Sequence, residues 1–355
     1  MSPRMSGPAG LGLGVLAAGA ALGWVGERLL VKRPPGGAIA ITGPNAGRAD
    51  PRLLTVDDGV ELYVEIDEVA ATAAYAPLTA IFIHGYALNL DCWYFQRQAL
   101  SGDVRGVFYD QRGHGRAGRG EAGTHTIERL GRDLGELLDV VAPQGPVVLI
   151  GHSMGGMTIM ALAEQRPEVF ERRVVGVGLV ATSASGVGES PLGLPRRLGE
   201  VVHRAAPLVV SALSRAPALV ERGRKSGSDL GHLLTRYYSF ASRVPPGLVE
   251  FAAEMLSATP LEVVAEFLPS LDAHDRTDAL PVLRSCPVLV VGAQQDLMTP
   301  VEHTHAIAAA LPEADVRVVE PGGHMILLEY PDEVTAWIRE LLRRSLTLAQ
   351  QRGLA

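Results

Sequence analysis

Six short apolar runs set narrow limits on how this chain can fold: Thr79–Ile83, Gly106–Tyr109, Val147–Ile150, Val174–Val180, Val288–Val291 and Val316–Val319. Each is too short for a buried helix and lacks polar alternation, which is the pattern of a strand covered on both faces. Stretches with helical apolar spacing, at Ile127–Val141, Met154–Gln165, Val301–Leu311 and Pro331–Arg344, provide the crossovers. The expectation is an α/β fold with a mainly parallel central sheet and helices on both faces. Ahead of the first run, Leu53–Val56 and Val60–Val69 flank an Asp58-Gly59 turn with mostly period-two alternation, which predicts an antiparallel hairpin.

The regular alternation of runs and helices breaks at about 183–280, where helix-like apolar periods are repeatedly interrupted by proline. This stretch reads as a helical cap inserted over one edge of the sheet. At the other end of the chain, residues 9–26 carry no charge and sit between Arg4 and the group Glu27, Arg28, Lys32 and Arg33. Their length is at the lower edge of what spans a bilayer, about 20 residues. Three readings stand: an uncleaved membrane anchor, a signal peptide cut near Ala18-Gly-Ala20, or a soluble amphipathic extension. The first two place the protein at a membrane or outside the cell, and the third leaves the cytoplasm open. A Pro- and Gly-rich linker at 34–51 follows, then a folded domain over 52–342 and a C-terminal tail at 343–355.

Composition removes several function classes. The formal net charge is −7 and no stretch concentrates basic residues, so the electrostatic footprint of a nucleic-acid binder is missing. The only lysines are Lys32 and Lys225, and no Gly-Lys-Ser/Thr occurs, which removes Walker-type nucleotide binding and Schiff-base catalysis. Cys92 and Cys286 read as buried thiols rather than a disulfide framework or zinc ligands. The histidines form no His-Glu-x-x-His, and His303 and His305 diverge on a helix. Neither a metal site nor a cofactor is expected.

The chemistry concentrates at four loops. Val147–Gly156 places a Gly-x-Ser-x-Gly directly after a buried run and directly before a helix. A serine on such a strained strand-to-helix turn is exposed to substrate, while Gly151 and Gly155 remove side chains that would clash in the bend. Ser153 is the nucleophile candidate, and the N–H of Met154, opening the helix, faces the oxygen that turns negative in acyl transfer. In Ile81-Phe-Ile-His-Gly-Tyr86, Gly85 lets the chain turn so that Tyr86, or a residue beside it, supplies a second oxyanion donor. A serine needs a base, and the base needs an acid to fix its tautomer. Asp296 follows the fifth run and His324 the sixth, in the chain order Ser, Asp, His. His84, His114 and His152 read as structural; Asp315 precedes a run rather than following one, and Asp272, Asp275 and Asp278 lie at the end of the insertion, so Asp296 leads them as the acid on position. Gly176-x-Gly178-x-x-Ala181 matches a dinucleotide fingerprint but lies inside a run rather than after one.

From about Leu53 to Leu342 the chain resembles the α/β-hydrolase superfamily. The resemblance is carried by Gly151-His-Ser-Met-Gly-Gly156, His84-Gly85-Tyr86, the Asp296 and His324 loops and Tyr109-Asp-Gln-Arg-Gly-His-Gly115. It implies Ser153 as nucleophile, His324 as base, Asp296 as acid, Tyr86 and Met154 as the oxyanion hole, and a supporting role for the Asp110–Gly115 loop. Haloalkane dehalogenases and epoxide hydrolases of the superfamily carry Asp at the elbow, so the serine disfavours their reactions. The elbow resembles those of esterases and monoacylglycerol-type lipases, which implies carboxylic-ester hydrolysis on a small acyl substrate. The apolar N-terminal segment shifts the expectation toward a lipid-like one. Against this stand thioester, amide or carbon–carbon bond hydrolysis or acyl transfer by the same residues, and a non-catalytic ligand-binding protein of the same fold. The apolar residues of the cap suit an acyl pocket, and most of them also suit simple packing.

Overall fold

The computed structural model describes residues 51–186 and 229–355. The apolar segment 9–26, nearly all of the 34–51 linker and the 187–228 part of the cap lie outside the described residues. Among the described residues, no helix is long and apolar enough to cross a membrane.

Eight strands form one sheet: β1 (Arg52–Thr55), β2 (Glu61–Asp67), β3 (Thr79–Ile83), β4 (Arg105–Asp110), β5 (Val147–His152), β6 (Val174–Val180), β7 (Val288–Ala293) and β8 (Asp315–Val319). Their order across the sheet is β1-β2-β4-β3-β5-β6-β7-β8. The hairpin pairs antiparallel through Leu53↔Tyr63, and β2 runs antiparallel to β4, while every pairing from β4 to β8 is parallel. Gly59 turns the hairpin at φ +85°, where a β-carbon is disfavoured.

Alternate residues of the central strands feed two apolar layers. Ile81, Leu149, Val177 and Val290 face one layer, with α1 (Ile127–Val141) and α2 (Met154–Gln165) over them. Phe82, Val148, Val175 and Leu289 face the other, under α7 (Pro331–Gln351). The remaining long helices are α3 (Asp229–Ser239), α4 (Pro246–Ala258), α5 (Leu261–Asp272) and α6 (Val301–Ala310). Of these, α3 to α5 form the described part of the cap, between β6 and β7. Thr126 caps α1 by accepting a hydrogen bond from the Arg129 N–H at 3.1 Å.

Two expectations change, and one discounted motif gains a role. First, β8 is buried on neither face along its middle, with Val316 36% and Val318 40% exposed, because it lies at the sheet edge and only β7 pairs with it. Second, the final helix continues past Arg344 to Gln351. It ends in a Schellman motif, with Leu354 N–H donating to Ala349 O and Gly353 N–H to Gln350 O, and Gly353 at φ +66°. Residues placed in a tail are thus packed: Ser345 and Ala349 are fully buried, and the Arg352 guanidinium donates to the carbonyls of Phe170, Val174 and Ser285. Third, the glycines of the discounted fingerprint have a packing role. A β-carbon on Gly176 would lie 2.1 Å from Ser345 Oγ, and one on Gly178 would press on Ile150 and Leu341, so bare backbone lets α7 approach β6.

Ending the chain at Arg344 removes the Arg352 bonds and the buried last turns. With each charge-assisted bond contributing about 1.5–3 kcal/mol, the shortened protein is expected to lose at least about 3 kcal/mol of stability, read as a lowered urea midpoint.

Candidate active site

The elbow is built from backbone contacts. Ser153 closes β5 and precedes α2 at φ +51°, ψ −117°, a region that costs a non-glycine residue about 1–3 kcal/mol. Its N–H donates to Val180 O at 2.9 Å, and its carbonyl accepts from Thr182 Oγ1 at 2.7 Å. A β-carbon on Gly151 would sit 2.4 Å from the Gly155 carbonyl carbon, and one on Gly155 2.3 Å from Ile83 O. Both positions therefore require glycine for reasons of space, and the strain at Ser153 is held by two strands and a helix.

The structure brings the three residues singled out from different loops into one hydrogen-bonded line. Ser153 Oγ–H donates to His324 Nε2 at 3.0 Å, and His324 Nδ1–H donates to Asp296 Oδ2 at 2.9 Å. Ser153, Asp296 and His324 are all buried. Asp296 also accepts bonds from the N–H groups of Met298 and Thr299 and from Thr299 Oγ1, at 2.8, 2.9 and 2.8 Å. Burial alone would raise its carboxyl, but the facing His324 ring, its hydrogen bond and the two backbone donors hold it below the ordinary value. Asp296 thus stays ionised where it orients the ring.

Several residues that sequence reasoning passed over set the His324 loop. Gln295 N–H donates to Gly322 O and Gly322 N–H to Gln295 Oε1, at 3.0 and 2.9 Å, tying the acid loop to the histidine loop. Glu329 accepts from Gly323 N–H and from the N–H groups of Ala241 and Ser242 at the end of α3. Met325 N–H donates to Ser239 O at 2.8 Å, and Gly323 is bare where a β-carbon would lie 2.7 Å from Ser239 O. The Gly322-Gly323 pair signals a close approach, but its partner at Ser239–Ala241 is about eighty positions away and leaves no local trace.

The oxyanion candidates flank the serine. Met154 opens α2, so its N–H has no intrahelical partner. Tyr86 lines the same pocket as Ser153 and His324, whose walls also include Leu88, Leu256 and Met298. Gly85 lies where a β-carbon would meet His152 Nδ1 at 2.7 Å. His84 pins this loop as expected: its Nδ1–H donates to Gly85 O at 2.8 Å and its Nε2 accepts from Gln111 N–H at 2.9 Å. His152 does not face Ser153; its Nε2–H donates to the carbonyl of His324 at 3.0 Å. In the Asp110–Gly115 loop, Asp110 accepts the N–H groups of Leu90 and Arg116, and buried Arg112 pairs with Asp133 and Asp58. Among the described residues no group of three or more His, Cys, Asp or Glu side chains is placed to hold a metal ion.

The model of the alpha/beta hydrolase fold family matches residues 81–331. The chain belongs to this family. The hydrolase is 26% identical over 267 residues to RutD of Caulobacter sp. (strain K31), provisionally described as a carbamate hydrolase, covering 74% of this chain and 90% of that protein. A thermophilic esterase from Thermogutta terrifontis superposes with a TM-score of 0.63 at 28% identity, covering 84% of the hydrolase and 99% of the esterase. An enol-lactonase from Burkholderia xenovorans LB400 shares the fold with a TM-score of 0.63 at 24% identity, covering 82% and 100% of the two chains.

Burial also keeps several histidines uncharged. Desolvation lowers His114 to about 4, His152 to about 3 and His274 to about 4, and pushes His84 well below the usual value. The ring nitrogens His114 Nε2, His152 Nδ1 and His274 Nδ1 have no partner among the described residues, as expected of unprotonated nitrogens. Below about pH 6.5 the unfolded chain takes up protons at these positions while the folded chain does not, so stability falls with pH at up to about 1.4 kcal/mol per unit for each histidine. Asp110, raised to about 6 by burial, works in the opposite sense, because the folded state binds its proton first. Asp133 and Glu136, also raised by burial, act with Asp110, and the four more strongly shifted histidines outweigh these three acids, giving a net loss of stability between about pH 6.5 and 4.5. Urea titrations across this range are expected to show it, and His274→Gln, which keeps the donor to Ser183 O, should flatten the slope by one histidine's share.

Proposed function

We propose that this hydrolase cleaves carboxylic esters through a covalent acyl-enzyme on Ser153. The observation that carries the reading is the continuous line from Ser153 Oγ through the His324 ring to the Asp296 carboxylate, at 3.0 and 2.9 Å. A serine hydroxyl is a weak nucleophile until a base removes its proton, and this line supplies the base with its tautomer already set. As Oγ bonds to the acyl carbon, its proton passes to His324 Nε2 and the carbonyl electrons move to oxygen. The N–H groups of Tyr86 and Met154 stabilise that oxyanion. Collapse breaks the ester C–O bond, and the alcohol leaves with the proton from His324. Water then attacks the acyl carbon, gives a proton to His324, and the acid departs as Ser153 regains its hydrogen.

Likeness to the esterase from Thermogutta terrifontis supports the ester class. The apolar walls at Leu88, Leu256, Met298 and Met325 suit the hydrocarbon part of an acyl group. The uncharged segment 9–26 supports a lipid-like or membrane-delivered substrate and association with a membrane. The relationship to RutD favours a second reading, in which the same residues attack a carbamate or amide carbonyl.

Labelling with a fluorophosphonate at neutral pH is expected for the native protein and absent in Ser153→Ala. On short p-nitrophenyl esters, Ser153→Ala should lower kcat by about 10⁶ and Asp296→Asn by about 10⁴. Full turnover by Ser153→Ala would overturn the reading, and a panel of esters, carbamates and amides separates the two substrate classes.

A further inference from the structure

We infer that the Tyr86 hydroxyl latches the oxyanion loop to the cap, so that Tyr86 serves twice: its backbone as an oxyanion donor, and its side chain as the positioning group that holds this donor in place. The inference rests on the serine-hydrolase reading and extends it to the control of the site by the cap. Tyr86 Oη–H donates to the carbonyl of Val264, in cap helix α5, at 2.5 Å. Burial holds the phenol well above its usual pKa, so it remains a donor.

A mid-helix carbonyl accepts from the N–H four residues on, for Val264 that of Leu268, and its second lone pair remains for an outside donor. Tyr86 reaches that lone pair. Phe267, on the same helix, meets the Tyr86 ring edge-on with centroids 6.3 Å apart. Tyr86, Met154, Val264, Phe267 and Met298 belong to one apolar cluster. Both oxyanion candidates and a neighbour of Asp296 therefore share a core with the cap, rather than with the sheet layers alone.

The rest of α5 is fixed independently. His125 Nδ1 bonds Glu266 at 2.5 Å, and the Ile127 N–H donates to Ser270 Oγ at 2.8 Å. Removing the phenol oxygen thus leaves the helix seated and frees only the loop it steadies. Because the hydroxyl's proton is committed to the Val264 carbonyl rather than offered to substrate, the effect is expected in kcat rather than KM.

The test uses the full-length protein with Tyr86→Phe. Complete loss of one oxyanion donor costs about 10²–10³ in rate, so a loosened donor should cost about tenfold in kcat with KM within about twofold. Hydrogen exchange over 84–90 reads the latch without turnover and should quicken in Tyr86→Phe, while exchange over 261–272 stays as in the native protein. Unchanged exchange over 84–90, an unchanged kcat, or a fall confined to KM would each overturn the inference. If the native protein turns over no acyl substrate, the serine-hydrolase reading fails and the coupling to catalysis falls with it; unchanged exchange beside normal native turnover removes the latch alone.

Discussion

Everything at the candidate active site depends on two backbones meeting with no side chain between them. Gly151 and Gly155 let the end of β5 and the start of α2 close to a separation that any β-carbon would block, with Gly155 pressed on the carbonyl of Ile83 in the neighbouring strand. The cost is a serine at positive φ. That strain persists because Val180 and Thr182 bond the Ser153 backbone from the adjacent strand and the loop after it. The serine is therefore rigid before any substrate arrives, and the histidine and aspartate need only be brought to it. Much of the remaining architecture can be understood as that delivery: β7 carries Asp296, β8 carries His324, and Gln295 with Gly322 keep the two loops in step.

The charge arrangement follows the same logic of fixing groups in advance. Asp296 is buried but compensated by four donors, including the ring it orients. The histidines nearby have the opposite fate, being buried without an acid and left neutral. Two of them still act through hydrogen bonds: His84 holds the Gly85-Tyr86 loop and His152 holds the backbone of His324. Chemically similar rings thus take different roles according to whether a carboxylate faces them.

Much of this was legible in the sequence because the signals are local. The strand β3 and the helices α1 and α2 fall where run length and apolar spacing place them. Ser153, Asp296 and His324 were each marked by a strand end followed by glycines or a proline-started helix. What escaped was set by distant partners. Edge exposure of β8 depends on strand order, which no single run encodes. The length of α7 was signalled only by Gly353, beyond a stretch of weakening periodicity. The Glu329 clamp and the Tyr86 contact with Val264 join residues 88 and 178 positions apart, so neither element announces the other.

The seating of α7 has a bearing on how the chain acquires its shape during synthesis. This helix, made after every strand of the sheet, covers the apolar face of β6 and β7, and its Arg352 reaches back to Phe170, Val174 and Ser285. Until it leaves the ribosome, one side of the central strands stays open to water, and the elbow behind them lacks its full support. The sheet is thus synthesised ahead of its cover, and a nascent chain stalled short of α7 presents a broad sticky surface of the kind that chaperones bind.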